Sequence, residues 1–231
     1  ELRITEYELF PGDPSGDGIV WSFARGVTVI AGINGLGKTT LLLMILRSLT
    51  GRYDLTGEGA LQSLSVALPE KPVRLNSRHL VAFQHRVSDG AANARVELSA
   101  DVGEHVITIR RRLNNLSLEG LTIDEQPVDL PAGLDDRETV FQSRLTELTG
   151  LGSFVDVLLV LHHVILFLEN RSGALWDTNA QRHLLRALCL DREDAKRVVE
   201  LERELQSADS QARNVHARMT RTETRLNEAR L

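Results

Sequence analysis

Lys38 and Thr39 are the residues whose type and spacing point most directly to chemistry. They close the run Gly32-Ile33-Asn34-Gly35-Leu36-Gly37-Lys38-Thr39, which fits the spacing G-x-x-x-x-G-K-[ST]. The glycines let a backbone turn tightly and bring its N–H groups against the oxygens of a polyanion. A helix opening near Lys38 adds unpaired N–H groups and the positive end of its dipole. Lys38 supplies a point charge for β- and γ-phosphates, Thr39 a hydroxyl for Mg²⁺, and Thr40 a second hydroxyl in reach of an α-phosphate. The expected ligand is ATP with Mg²⁺, held by Gly32, Asn34, Gly35, Leu36, Gly37, Lys38, Thr39 and Thr40.

Binding a triphosphate is not hydrolysing it. Hydrolysis also needs an aspartate on Mg²⁺, a group that orients the attacking water, and neutralisation of transition-state charge. The nearest approach to an apolar run ending in Asp-Glu is "VILFLEN", Val164–Asn170, in which Leu168 stands where the aspartate belongs. Glu169 is the one carboxylate there that qualifies as a catalytic candidate. His162 and His163 are adjacent, so on a helix they point about 100° apart and do not form an i, i+4 metal pair. No His/Cys cluster has zinc spacing. Arg110-Arg111-Arg112 ends an expected strand and reads either as a contact to a nucleic-acid backbone or as a solvated strand end.

These residues need elements to position them. "VTVIAG" (Val27–Gly32) reads as a strand leading into the loop, and "KTTLLLMILRSLTG" as the helix leaving it and ending near Gly51. "LRITEYELF" and "IVWSF" read as earlier strands around the turn-rich "PGDPSGDG". From about Ser63 to Ile123, "LSVAL", "HLVAFQHR", "ARVELSAD", "HVITIRRRL" and "LSLEGLTI" alternate with turn residues, the pattern of an antiparallel β-meander. "DDRETVFQSRLTELTG" and "FVDVLLVLHHVILFL" read as helices, and "TNAQ" as a capping box opening a third. The stretch Leu151–Leu168 carries Asp156 and two histidines, so a buried core helix fits better than a membrane span.

The last part of the chain is the most regular. Val198, Leu201, Leu205, Ala208, Ala212, Val215, Met219, Thr222, Leu226 and Ala229 follow three-four spacing, a heptad seam without glycine or proline. A seam this rich in alanine needs a partner helix. Arg213, Arg218, Arg221, Arg225 and Arg230 face only Glu223 and Glu228 over the same stretch, which suits an acidic partner helix or a DNA backbone. Net charge over 231 residues is −5, so any nucleic-acid contact must be a local patch. The single cysteine, Cys189, excludes a disulfide within the chain and fits a reducing, cytoplasmic setting.

"GINGLGKTT", with Asn34 inside the loop, resembles the Walker A motif of the ABC-type superfamily and of its SMC-like group in particular. That group includes the chromosome-organising SMC proteins, the coiled-coil ATPase of the double-strand-break repair complex, and bacterial SMC-like defence ATPases. The order of strands, Walker A, meander, helices and outgoing heptads resembles the N-terminal half of such a head. The resemblance implies an α/β fold: a P-loop NTPase head N-lobe with an antiparallel β-meander over residues 1–190, then the start of a coiled coil over 191–231. It places Glu169 or Asn170 where the family has its Q-loop glutamine, with Gln84 a second candidate for that role. It also implies partners: the C-terminal half of the same ATPase carrying the signature and Walker B motifs, a second head in an ATP-closed homodimer, double-stranded DNA, and a nuclease or accessory subunit. No membrane partner is expected. The competing expectation is a nucleotide-binding signalling module with little turnover that recruits an effector through its coiled coil.

Overall fold

The structure, a computed structural model, describes residues 1–12, 18–58, 68–166 and 177–228. Its elements in chain order are β1 (Leu2–Thr5), β2 (Ile19–Trp21), α1 (Lys38–Thr50), β3 (Tyr53–Asp54), β4 (Val73–Arg74), α2 (Ser77–Leu80), β5 (Arg95–Val102), β6 (His105–Arg112), β7 (Leu118–Ile123), β8 (Gln126–Pro127), α3 (Leu134–Thr149), α4 (Phe154–Val160), α5 (Thr178–Cys189) and α6 (Arg192–Glu228). This is a mixed α/β protein with a six-stranded antiparallel sheet in the order β2-β1-β5-β6-β7-β8.

Period-two alternation makes the sheet one-sided. Register pairs Leu2 with Leu98 and Ile4 with Val96, then Leu98 with Ile109 and Ile109 with Leu121, so one face is a continuous apolar band. The opposite face carries Arg3, Glu97, Arg110 and the Ser99–Thr108 hydroxyl pair. The apolar band supports two core clusters. Leu2, Ile4, Val96 and Leu98 pack with Leu41 and Met44 of α1, along with Tyr7, Phe10 and Phe83. Ile107, Ile109 and Leu121 pack with Phe141 and Leu145 of α3, with α4, and with Leu184 of α5.

One member of the apolar band is charged. Arg111 is in phase with Ile107 and Ile109 and is 0% exposed. Its Nη1 and Nη2 donate to the two oxygens of the buried Glu138 at 2.5 and 3.1 Å, its Nε to Ser48 O at 2.9 Å, and Nη1 also to Leu116 O at 3.0 Å. The guanidinium carbon lies 4.6 Å from the centre of the Phe141 ring. Gly51, which ends α1 at φ 61°, makes room for it: a Cβ there would lie 2.7 Å from three guanidinium atoms.

Several expected elements are present: α1 begins at Lys38 and stops at Gly51, and β5, β6, β7, α3 and α5 occupy the segments read for them. Others differ. "HLVAFQHR" is not a strand: it holds the end of α2, then a turn of 3-10 helix over Gln84–Arg86. Asn76 starts α2 by accepting from His79 N, a local bond that competes with any ladder. α5 is capped by Asp177, whose Oδ1 accepts from Asn179 N and Ala180 N, one residue before the expected capping box. "LSVAL" falls largely outside the described residues. α6 runs unbroken for 37 residues with Leu201, Leu205, Val215 and Met219 of the seam exposed. Among the described residues no single helix is long and apolar enough to cross a membrane.

Breaking one partner of the Arg111–Glu138 pair strands the other charge in the core. Glu138→Leu is expected to cost about 3–5 kcal/mol in denaturant unfolding. Adding Arg111→Met to it is expected to recover part of that loss, because no charge is then left unpaired.

Candidate functional site

The loop at the start of α1 is assembled from below. Gly35 and Gly37 take φ of 92° and 83°, left-handed conformations open to glycine at little cost. Gly37 also lies against the segment after β1: a Cβ there would meet Phe10 Cζ at 2.9 Å and Leu9 Cδ2 at 3.1 Å. Its carbonyl accepts the first helical bond, from Leu41 N at 2.9 Å. The first turn of α1 holds no acidic residue, so nothing there offsets the positive end of the helix.

Lys38 arches back across the loop. Its Nζ donates to Gly32 O at 2.8 Å and to Ile33 O at 2.9 Å, which holds the ammonium at the mouth of the turn. Gly32, Asn34, Gly35, Leu36 and Thr39 are all exposed around it. Seven of the eight expected binding residues therefore line one open turn, Gly37 and Lys38 half-buried among them. Thr40, the eighth, is placed differently. It is 1% exposed, and its Oγ1 accepts a hydrogen bond of 2.8 Å from Arg86 Nη1.

The segment carrying Arg86 is tied to the loop after β1. Tyr7 Oη donates to Phe83 O at 3.1 Å, and Glu8 Oε2 accepts from Ser88 N at 2.8 Å and Ser88 Oγ at 2.5 Å. Burial pushes the Tyr7 phenol up to about 12 despite the opposing pull of Arg86, so it stays a neutral donor. The Ser88 hydrogen bonds hold the Glu8 carboxyl below its ordinary value. Gln84 is committed elsewhere, its Nε2 donating to Asn114 O. Arg86 was not singled out by sequence: a lone arginine in a stretch that reads as a strand carries no motif.

Val27–Gly32 is not a strand in this structure. Val27 is 94% and Val29 80% exposed, while Ile30 leans on the core around α1. A strand exists through hydrogen bonds to neighbours, and none of the described strands pairs with this segment.

Glu169, Asn170 and Trp176 lie outside the described residues. The approach to them is described: α4 passes into a turn of π-helix over Leu161–Ile165. There His162 Nε2 meets Asp54 Oδ1 at 2.6 Å, and Asp54 Oδ2 accepts from Arg47 Nη1 of α1 at 2.7 Å. Burial works to raise the Asp54 carboxyl, but the hydrogen bond and charge of His162 together with Arg47 hold it at about 2. His163 is equally buried, and among the described residues neither of its ring nitrogens has a hydrogen-bond partner. Burial, then the neighbouring His162, lowers its pKa against the weaker pull of Asp177.

The Arg110-Arg111-Arg112 cluster is fully engaged. Arg110 pairs with Glu97 at 2.7 Å, Arg111 is buried on Glu138, and Arg112 pairs with Glu119, so each charge of the run has a carboxylate partner, while Arg110 and Arg112 stay about half exposed. On α6, Arg213 pairs with Asp209 at 2.9 Å. Among the described residues no group of three or more His, Cys, Asp and Glu is arranged to hold a metal ion. Comparison with protein-family models finds no matching family, and comparison with curated proteins finds no match.

A neutral His163 carries a defined pH dependence. Its pKa in the fold lies below the ordinary 6.5, so as pH falls through that value the unfolded chain takes up the proton first and stability is lost. His163→Leu is expected to flatten the fall in Tm between about pH 7.5 and 5.5. At neutral pH it is expected to cost little, because no hydrogen bond is removed. Thermal melts of both proteins across that range check it.

Proposed function

We propose that this chain is the ATP-binding N-terminal part of an SMC-like, ABC-type ATPase that works in the cytoplasm. The observation that carries the reading is the loop itself: three turn-forming glycines, an ammonium held over the turn at Lys38, and a helix start free of acidic residues. Together they make a nest for a polyphosphate, with Thr39 exposed at the edge where Mg²⁺ would be shared with the nucleotide. This chain's residues would bind and orient the phosphates, with Thr39 helping to hold Mg²⁺, which would supply charge neutralisation.

The Val27–Ala31 run, with Val27 and Val29 exposed, supports the second half of the proposal. A segment apolar on both sides is the composition of a central strand in a parallel sheet. The C-terminal half of the head would supply the strands that flank it, with the signature and Walker B residues. Two such heads would close on ATP, and closure would redirect α6 and with it the grip on double-stranded DNA. With the Arg110–Arg112 cluster internally paired, the α6 arginines become the favoured phosphate contacts, Arg218, Arg221 and Arg225 among them. A nuclease or accessory subunit would share that work, in repair, chromosome maintenance or anti-phage defence. Glu169, a carboxylate at the position of a water-orienting glutamine, favours the second reading of a nucleotide-bound signalling module with little turnover.

Isothermal titration with Mg-ATP and steady-state turnover, on this chain together with the C-terminal half of the head, test both. The wild type is expected to bind ATP in a magnesium-dependent way, and Lys38→Ala to weaken binding at least about tenfold. Turnover abolished by Lys38→Ala supports the ATPase; tight binding with no turnover in the wild type supports the signalling module. A wild-type protein that takes up no ATP ends the proposal.

A further inference from the structure

Asn34-Gly35 is the single Asn-Gly pair in the sequence, and it forms the tip of the Gly32–Thr39 loop. Ala31–Leu36 are exposed throughout. Among the described residues, neither the Asn34 carboxamide nor the Gly35 amide nitrogen has a hydrogen-bond partner. Gly35 takes φ of 92°, and the place a Cβ would occupy is open space. The other described asparagines lack this combination. Asn76 caps α2, Asn114 Nδ2 donates to Ala92 O at 3.3 Å, and Asn115 Oδ1 accepts from Ser117 N at 2.9 Å. Asn93 is exposed, but the amide that follows it, Ala94 N, is committed to Ala91 O at 3.2 Å. Asn179, Asn214 and Asn227 lie within α5 and α6, where the helix or its cap takes the following N–H.

A free carboxamide beside a free, unhindered glycine nitrogen is the arrangement that lets an asparagine hydrolyse itself. Solvent base takes the Gly35 N–H proton, and the nitrogen attacks Asn34 Cγ. The Cγ–Nδ2 bond breaks, and ammonia leaves with a proton from water. Water then opens the succinimide ring at either carbonyl, giving aspartate or isoaspartate. The sum is one water consumed and one ammonia released, with no oxidation or reduction. The charge around the pair favours this step, which passes through an anionic nitrogen and an oxyanion. Lys38 Nζ stands over the turn on Gly32 O and Ile33 O, and α1 presents its positive end with no acidic residue in its first turn.

We infer that Asn34 is a deamidation site of this protein, converted in the empty loop and protected when a nucleotide's phosphates occupy it. The protection rests on the nucleotide reading of the loop; the conversion does not. One atom links the two: the Gly35 nitrogen is the nucleophile in the empty loop and a phosphate donor in the filled one. The product closes the site behind it. Aspartate sets a carboxylate where the phosphates belong, and isoaspartate adds a main-chain carbon that moves the loop's N–H groups out of register. A chain left without nucleotide is thus retired from binding.

The test incubates this chain with the C-terminal half of the head at mildly alkaline pH, without ligand and with Mg-ATP. Peptide mass spectrometry follows each asparagine, and isothermal titration measures ATP affinity before and after. Without ligand, Asn34 is expected to convert at least about tenfold faster than the exposed Asn93, and Gly35→Ala to slow it about tenfold. Mg-ATP at about ten times its Kd is expected to slow Asn34 about tenfold and leave Asn93 unchanged. Asn34→Asp, the product itself, is expected to bind ATP at least about tenfold more weakly than fresh wild type. Asn34→Gln is expected to keep its starting affinity through an incubation that costs wild type most of its own. Conversion at Asn34 no faster than at Asn93 overturns the inference. So does conversion that Mg-ATP leaves unchanged in a protein that binds it, or wild-type affinity in Asn34→Asp. If fresh wild type binds no ATP, the nucleotide reading falls and the protection with it, while the rate without ligand still decides the modification.

Discussion

The arrangement of this protein turns on a buried charge pair, Arg111 with Glu138. A guanidinium taken wholly out of water is tolerable only with its donors satisfied, and here its partners come from three places in the chain. β6 carries it, α3 answers its charge, and the end of α1 and the turn before β7 supply carbonyls. The sheet and both helices are thereby held in one relation that apolar packing alone would leave free to slide. Because Ser48 lies near the C-terminal end of α1, the same contact bears on where the other end of that helix aims, and so on where the Gly32–Thr39 loop opens. Gly51 is part of this constraint, since any side chain there would occupy the space of the guanidinium.

A second polar chain runs parallel to the first. Arg47 of α1, Asp54 and His162 connect the helix behind the loop to the π-turn that precedes Glu169. Each link is short, buried and ionic or strongly polar, so a shift of α1 along its axis cannot leave the π-turn where it stands. In the same turn, neither ring nitrogen of the buried His163 has a hydrogen-bond partner among the described residues.

Local signals were legible in the sequence where local energetics decide. The glycine spacing and the apolar run after Lys38 are enough to open a helix, and strict alternation in "ARVELSAD" and "HVITIRRRL" is enough to build a hairpin. Arg111 stands in phase with the inward Ile107 and Ile109, but three adjacent arginines read as one strand-end cluster. Only the distant Glu138 explains why the middle one is buried. "HLVAFQHR" has the composition of a strand, yet Asn76 caps a helix turn ahead of it and Tyr7 and Asn114 hold its middle by backbone contacts no pattern encodes. "VTVIAG" has strand composition too, and composition cannot provide the neighbouring ladder a strand requires. Arg86 and Thr40 are 46 positions apart, and nothing in either neighbourhood announces their bond.

α6 departs from the body through few contacts: Asp191 caps its first turn, Ala195 is buried, and Glu202 meets Arg182 and Arg186 at 3.4 and 3.9 Å. Beyond that root Arg203 meets Glu70 at 3.7 Å, and the side chains from there to Arg225 are exposed. At 1.5 Å per residue, its 37 residues form a rod about 55 Å long. Swinging such a rod about 10° on its footing carries the far tip roughly 10 Å, so displacements too small to disturb the core become motions on the scale of a DNA groove. The mechanical gain lies in the length of one uninterrupted helix and in how little of it is fastened down.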